Sequence, residues 1–235
     1  MRTKNYVLFL IAILAINACK KPASPTVYKS LGTYSSSGQP AYLTNKDSIS
    51  DGLELFADTT LPAGKDIRIS HPELLNTNAD IKISQTSDVY VTFISQGSGL
   101  TISMGFYIYQ TDKPPKSPKD VQTITYIFPN SGLNTTLQAG DKVKIGTFEA
   151  GTSIGFVLLQ GGWDLVKETL DSNVPHFWTT DILNPEADVN LKKHAILLKY
   201  PQQNKSLICF EDFDRTKPAC DNDFNDQIIL CTTNP

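Results

Sequence analysis

The chain is poor in the residues on which metal enzymes and redox proteins depend. It has three histidines, His71, His176 and His194, far apart in sequence, and no Cys-x-x-Cys. Without a histidine pair at i, i+4 or a cysteine pair, a zinc site would need several distant loops to converge. Long basic runs are absent, and the net charge over the 235 residues is -3, which leaves no electrostatic footprint for nucleic acid. Apolar residues recurring every 3.6 positions are scarce, which argues against a helical bundle. There is no internal repeat, so a solenoid is excluded. No apolar run reaches the roughly 20 residues of a membrane-spanning helix.

What is present begins with a leader. Arg2 and Lys4 precede an apolar run over 6–16, and Ile-Asn-Ala-Cys follows at 16–19. This reads as a signal peptide, not a span. The small residue before Cys19 resembles a bacterial lipobox, which implies cleavage before Cys19 and its lipidation. The expected divisions are a leader at 1–18, a lipid-anchored tether at 19–27, an N-terminal lead-in at 28–87 and the main module at 88–235. The expected location is the bacterial envelope, anchored to a membrane (the outer one) through Cys19. Pro22, Ser24 and Pro25 keep the tether extended.

Three cysteines remain, Cys209, Cys220 and Cys231. An envelope location permits disulfides, but an odd count leaves at least one thiol free. A hairpin centred near Cys220 would set Cys209 opposite Cys231 as a bridge. The other reading is buried free thiols.

The dominant period is two. The stretches 88–94, 105–109, 121–128, 141–148, 154–159, 195–199, 207–210 and 227–231 are rich in β-branched and aromatic residues. Turn-forming Gly, Pro, Asn and Asp separate them. The pattern predicts an all-β fold, a β-sandwich or jelly roll of antiparallel strands with a short N-terminal helical lead-in. The one helix expected covers 50–57, capped by Ser50, with Leu53 and Phe56 on one face. Strands are expected at 66–70 and 81–84.

Several motifs invite chemistry. Gly-Thr-Ser-Ile-Gly at 151–155 matches the nucleophile elbow, yet it continues as strand where the elbow needs a helix. It therefore reads as a turn and bulge. Trp163 and Trp178 sit beside turn residues, where they could contact a sugar or plug the end of the core.

The strongest local signal is acidic. Glu211 and Asp212 close one strand, Asp214 lies beyond, and Asp221, Asp223, Asn225 and Asp226 open the next. Three readings compete. Hard oxygen ligands crowded on a short loop suit calcium, which takes 6–8 oxygens at roughly 2.3–2.6 Å. Asp and Asn also form solvated turns, with Asp212 pairing to Arg215 or Lys217, or with Asp226 as a buried buttress. Paired carboxylates can cleave glycans. The start Asp-x-Asp-x-Asn resembles an EF-hand loop, but Asp226 stands where that loop needs glycine, and Thr232 where it needs glutamate.

A family resemblance spans several blocks in order. They are Gly-Phe-Tyr-Ile-Tyr at 105–109, Ile-Phe-Pro-Asn at 127–130, Leu-Gln-Ala-Gly-Asp-Lys-Val at 137–143 and Gly-Thr-Phe-Glu-Ala-Gly-Thr at 146–152. Leu-Asn-Pro-Glu at 183–186, His194, Phe-Glu-Asp at 210–212 and Asp-Asn-Asp-Phe-Asn-Asp at 221–226 follow. Over about 88–233 the chain resembles the domain-of-unknown-function 4114 family, found in LruC-type lipoproteins of Bacteroidetes and other bacterial surface proteins. The resemblance implies a β-rich module outside the cytoplasm, with the two acidic blocks as its hallmark, and no particular activity. The resulting expectation is a non-enzymatic envelope lipoprotein. Ca2+ would be held by Glu211, Asp212, Asp221, Asp223, Asn225 and Asp226, and the partner would be a glycan or an envelope protein. The alternatives are a glycan-binding module, with Trp163 and Trp178 as contacts, and a carboxylate-dependent glycan-active enzyme.

Overall fold

Strands whose residues are apolar on both faces need cover on both sides, and this fold supplies it. The computed structural model describes residues 25–235. The leader, Cys19 and most of the tether lie outside them. Strand β1 (Val27–Ser30) is followed by helices α1 (Asp51–Thr60) and α2 (Ile67–Ser70) and by β2 (Ile81–Lys82). Next come β3 (Ser87–Ser95), β4 (Ile102–Gln110), β5 (Thr123–Phe128), β6 (Lys142–Phe148) and β7 (Thr152–Gln160). The short strands β8 (Trp163–Asp164), β9 (Thr169–Leu170) and β10 (His176–Trp178) precede β11 (Ala195–Tyr200), β12 (Lys205–Phe210) and β13 (Gln227–Asn234).

Two sheets form a sandwich. One runs β1-β5-β4-β7-β10, with β2 also on β7, and the other runs β11-β12-β13-β3-β6. Their pairings are antiparallel except for β1 on β5. Val91, Phe93, Met104, Phe156, Ile208, Phe210 and Ile229 fill the space between the sheets. The outer face of the second sheet carries Ile196, Leu198, Leu207, Cys209, Ile228 and Leu230. Leu53 and Ala57 of α1, with Leu61 and Ile67, cover that face. A third cluster, with Tyr107, Ile124, Tyr126, Val157 and Trp178, lies on the outer face of the first sheet. Each fully buried aliphatic or Phe side chain contributes about 1.5–3 kcal/mol relative to exposure. This double cover explains why 154–159 reads as an unbroken apolar run.

Helix α1 starts where its sequence says: the Ser50 hydroxyl accepts from Leu53 N. The stretch 66–70, expected as a strand, is instead one helical turn. Asp66 Oδ1 accepts from Arg68 N at 2.8 Å, and the same carboxylate pairs with the Arg68 guanidinium. Such local side-chain bonding competes successfully with an extended backbone, and it leaves Ile69 exposed. Val27, placed in the tether by sequence, already belongs to β1.

Of the two readings of the cysteines, the Cys209–Cys231 bridge does not form, and the three described cysteines are free. Cys209 pairs with Ile228 across β12–β13, while Cys231 faces Val91 of β3. Cys209 belongs to the helix-side cluster, whereas Cys231 packs against the core between the sheets. The hairpin register differs by an odd number of residues from one centred on Cys220, so the two thiols fall on opposite faces. No helix among the described residues is long and apolar enough to cross a membrane.

Candidate metal centre

Strand β12 ends by burying Phe210 in the core, and the next two residues carry the first acids. Glu211 N donates to His194 O at 3.0 Å, which extends the β11–β12 ladder by one bond. The chain then makes an irregular excursion and returns at Gln227. Within it, Asn222 and Phe224 are left-handed, with φ of 57° and 58°. For an aromatic residue this conformation costs on the order of 1–3 kcal/mol, so surrounding contacts must enforce it. They do: Phe224 is fully buried in the helix-side cluster, and the Arg215 guanidinium lies 5.4 Å from its ring centroid.

This path brings five carboxylates together. One oxygen each from Glu211, Asp221 and Asp223 lies within 4.8 Å of the others, and the same holds for Glu211, Asp212 and Asp226. Glu211 is only 1 % exposed. Its Oε1 accepts from Phe213 N at 3.2 Å, while its Oε2 is buried without a hydrogen-bond partner. The Cys220 thiol sits beside this carboxylate, but it makes no properly formed hydrogen bond to Oε2. Asp212 Oδ2 accepts a very short hydrogen bond from Ser98 Oγ, and Asp212 O accepts from Gln160 Nε2 at 2.7 Å. Asp226 Oδ2 accepts from Asp212 N at 2.8 Å, so Asp226, half-buried and not fully buried, has the hydrogen bond of a buttress and joins the two acidic segments. Asp223 accepts from Gly64 N at 2.7 Å and Asn225 N at 3.1 Å. Asp221 is exposed.

Crowding and burial act on these acids in one direction. Burial pushes Glu211 up to about 7, and the charges of Asp221, Asp223 and Asp212 add to the shift. Burial pushes Asp226 up to about 9, reinforced by Asp212 and Glu211. Asp212 and Asp223 also rise, mainly through burial. A negative charge on any of these four is expensive because water is largely excluded and neighbours repel it. A divalent cation would reverse both costs, and the donor set is all oxygen, as calcium prefers.

The expected ligand Asn225 also works as a brace. Its Nδ2 donates to Leu61 O at 3.1 Å, and a Cβ on Gly97 would stand 2.3 Å from its Oδ1. The pairing of Asp212 with Arg215 or Lys217 does not occur. Arg215 donates to Asn222 Oδ1 and Lys193 O, each at 2.8 Å, and Lys217 faces Asp214. Behind the site, His194 is fully buried. One ring nitrogen faces Glu211 O at 3.1 Å, and the other faces Glu186 Oε1 at 2.8 Å. The ring stacks on Phe177 at 4.2 Å.

Sequence reasoning did not single out Ser98, Gly64, Gln160 or Glu186 for this neighbourhood. Ser98, Gly64 and Gln160 reach it from loops and strands far away along the chain with no local pattern to mark them, and Glu186 stood only within the block at 183–186. The two tryptophans are both buried. Trp163 packs edge-on against Tyr34, whereas Trp178 lines a cavity of about 550 Å³ together with Tyr28, His176 and Asp214. Gln160 lines the same cavity, so its bond to Asp212 O links cavity and acidic loop. Gly-Thr-Ser-Ile-Gly is a turn running into β7. Gly151 has a φ of 85°, and Ser153 is buried and bonded to Thr111 Oγ1 at 2.8 Å.

Residues 148–234 match the model of a domain of unknown function, DUF4114. The match contains every acid of the site and begins at Phe148, so the blocks between 105 and 143 lie outside it. No curated protein and no solved structure matches the chain.

Proposed function

We propose that this chain, with its DUF4114 region, is a non-enzymatic lipoprotein of the bacterial envelope whose acidic connection is closed by calcium. The observation that carries the reading is Glu211 Oε2. It is a buried carboxylate oxygen without a donor, on the one residue that belongs to both groups of acids. A group of this kind is costly unless a ligand satisfies it. Calcium would be held by Glu211, Asp212, Asp221, Asp223 and Asp226, with Asn225 bracing the loop. The ion would supply charge neutralisation and no chemistry beyond it. The module would then present rigid loops to a glycan or protein partner at a surface set by the Cys19 anchor.

Geometry favours this over hydrolysis. Within each group the carboxylates converge, with oxygens within 4.8 Å of one another and most of the acids buried, whereas glycan cleavage needs an acid and its partner carboxylate set apart across an open groove. A second reading, glycan binding, draws support from the cavity beside Tyr28, His176 and Trp178. Soluble oligosaccharides that bind the chain but not Trp178→Ala would establish it.

Calcium titration of the full chain in detergent tests the first reading. Melting temperature should rise with calcium; a free concentration of 100 times Kd adds about 2.7 kcal/mol. Asp223→Ala should lose much of that gain. No heat of binding and no shift in melting temperature would refute the calcium part.

A further inference from the structure

The acids do not surround one point. They form two groups, Glu211 with Asp221 and Asp223, and Glu211 with Asp212 and Asp226, and only Glu211 belongs to both. We propose that the centre holds two calcium ions bridged by the Glu211 carboxylate. This rests on the calcium reading above and goes beyond it in ion number, in the division of ligands and in the role of Glu211.

The hydrogen bonds leave the oxygens such a division needs. In the inner group, Asp212 and Asp226 each engage Oδ2 with a protein donor, Ser98 Oγ and Asp212 N respectively, and keep Oδ1 free. In the outer group, Asp221 is exposed, accepts from no N–H of the protein and has the Asp223 carboxyl within hydrogen-bonding reach, while each Asp223 oxygen accepts a single backbone N–H and retains a lone pair. Glu211 has one oxygen with no partner and one with a single donor, Phe213 N. A carboxylate offers about four lone-pair sites, so Glu211 can serve both groups at once. Its unpartnered, 1 % exposed oxygen is the observation, independent of the crowding itself, that points to a ligand.

Charge points the same way. The buried Arg215 guanidinium near Glu211 donates through Nε and Nη1 to neutral oxygens and hydrogen-bonds none of the five carboxylates. Five ligand carboxylates, ionised on binding, carry more negative charge than one divalent ion offsets, and a second ion would offset nearly all of it. The ions also differ in access. The inner group has Asp212 almost fully buried and tied into the sandwich, whereas the outer group includes exposed Asp221 and closes onto Gly64 of the lead-in. The outer ion should therefore exchange faster.

Calcium-45 equilibrium dialysis and native mass spectrometry of the full chain in detergent give the count. Wild type should hold two ions at saturation. Asp221→Asn, at an exposed position that takes no backbone N–H, should hold one, a twofold loss at unchanged secondary structure. Asp226→Asn should retain only the outer ion, and Glu211→Gln should weaken both. One ion in wild type, or two in Asp221→Asn at unchanged affinity, would overturn the bridged pair while leaving calcium closure standing. No ion at all would remove both readings together.

Discussion

A carboxylate that is 1 % exposed and has an oxygen without a donor weighs against the fold whenever it is ionised, and Glu211 is such a group. The sign follows from linkage. Its folded pKa lies above the unfolded value, so the metal-free fold suffers no penalty well below pH 4.5. Stability then falls as pH rises towards about 7. Asp226 extends the decline towards about 9. A shift the size of that on Glu211 corresponds to about 3 kcal/mol in order of magnitude. Melting in a chelator should therefore occur at lower temperature at about pH 8 than at about pH 5, and saturating calcium should remove most of the difference. Glu211→Gln takes away the charge but keeps the shape. It should raise the melting temperature in chelator at about pH 8, by the equivalent of about 1–3 kcal/mol, and lose the response to calcium. A Gln variant less stable than wild type in chelator would show that Glu211 is a structural hydrogen-bonding group. The acids themselves were legible in the sequence because three carboxylates fall within the six residues 221–226 and two more close the preceding strand. Their partners were not: Ser98 and Gly64 lie 114 and 159 residues from the aspartates they bond.

Among the elements, those with long alternation were readable and those decided by local bonding or register were not. The β-rich runs at 88–94 and 227–231 became β3 and β13, neighbours in one sheet. The Ile-x-Ile of 67–69 alternates like a strand, yet the Asp66 cap makes it a helical turn. Strands β1 and β10 have four and three residues, too few to show a period. The β12–β13 hairpin illustrates register most sharply. Cys209 lies opposite Ile228, and Cys231 sits on the other face. A thiol count on the denatured chain should therefore find Cys209, Cys220 and Cys231 all reactive, and reductant should leave the melting temperature unchanged. A fall in melting temperature on reduction would contradict this register.

At the scale of the molecule, the acidic connection joins two parts of the chain that are remote in sequence. Asp223 holds Gly64 N, Asn222 O accepts from Ile67 N at 3.0 Å, and Asn225 Nδ2 holds Leu61 O. These bonds fasten the end of α1 and the start of α2 to the sandwich, at the same face that α1 covers with Leu53 and Ala57. An ion that rigidifies 221–226 should consequently protect a segment it does not touch through side chains. Hydrogen exchange makes this visible, because local opening sets the exchange rate of a buried amide. With calcium, the amides of Gly64 and Ile67 should exchange at least tenfold more slowly than in chelator, an effect of about 1.4 kcal/mol on local opening. The amides of β4 and β7, in the opposite sheet, should change little. Uniform slowing everywhere would mean that calcium raises global stability without a local closure. No change at Gly64 and Ile67, with calcium bound, would mean that the lead-in is fastened independently of the ion.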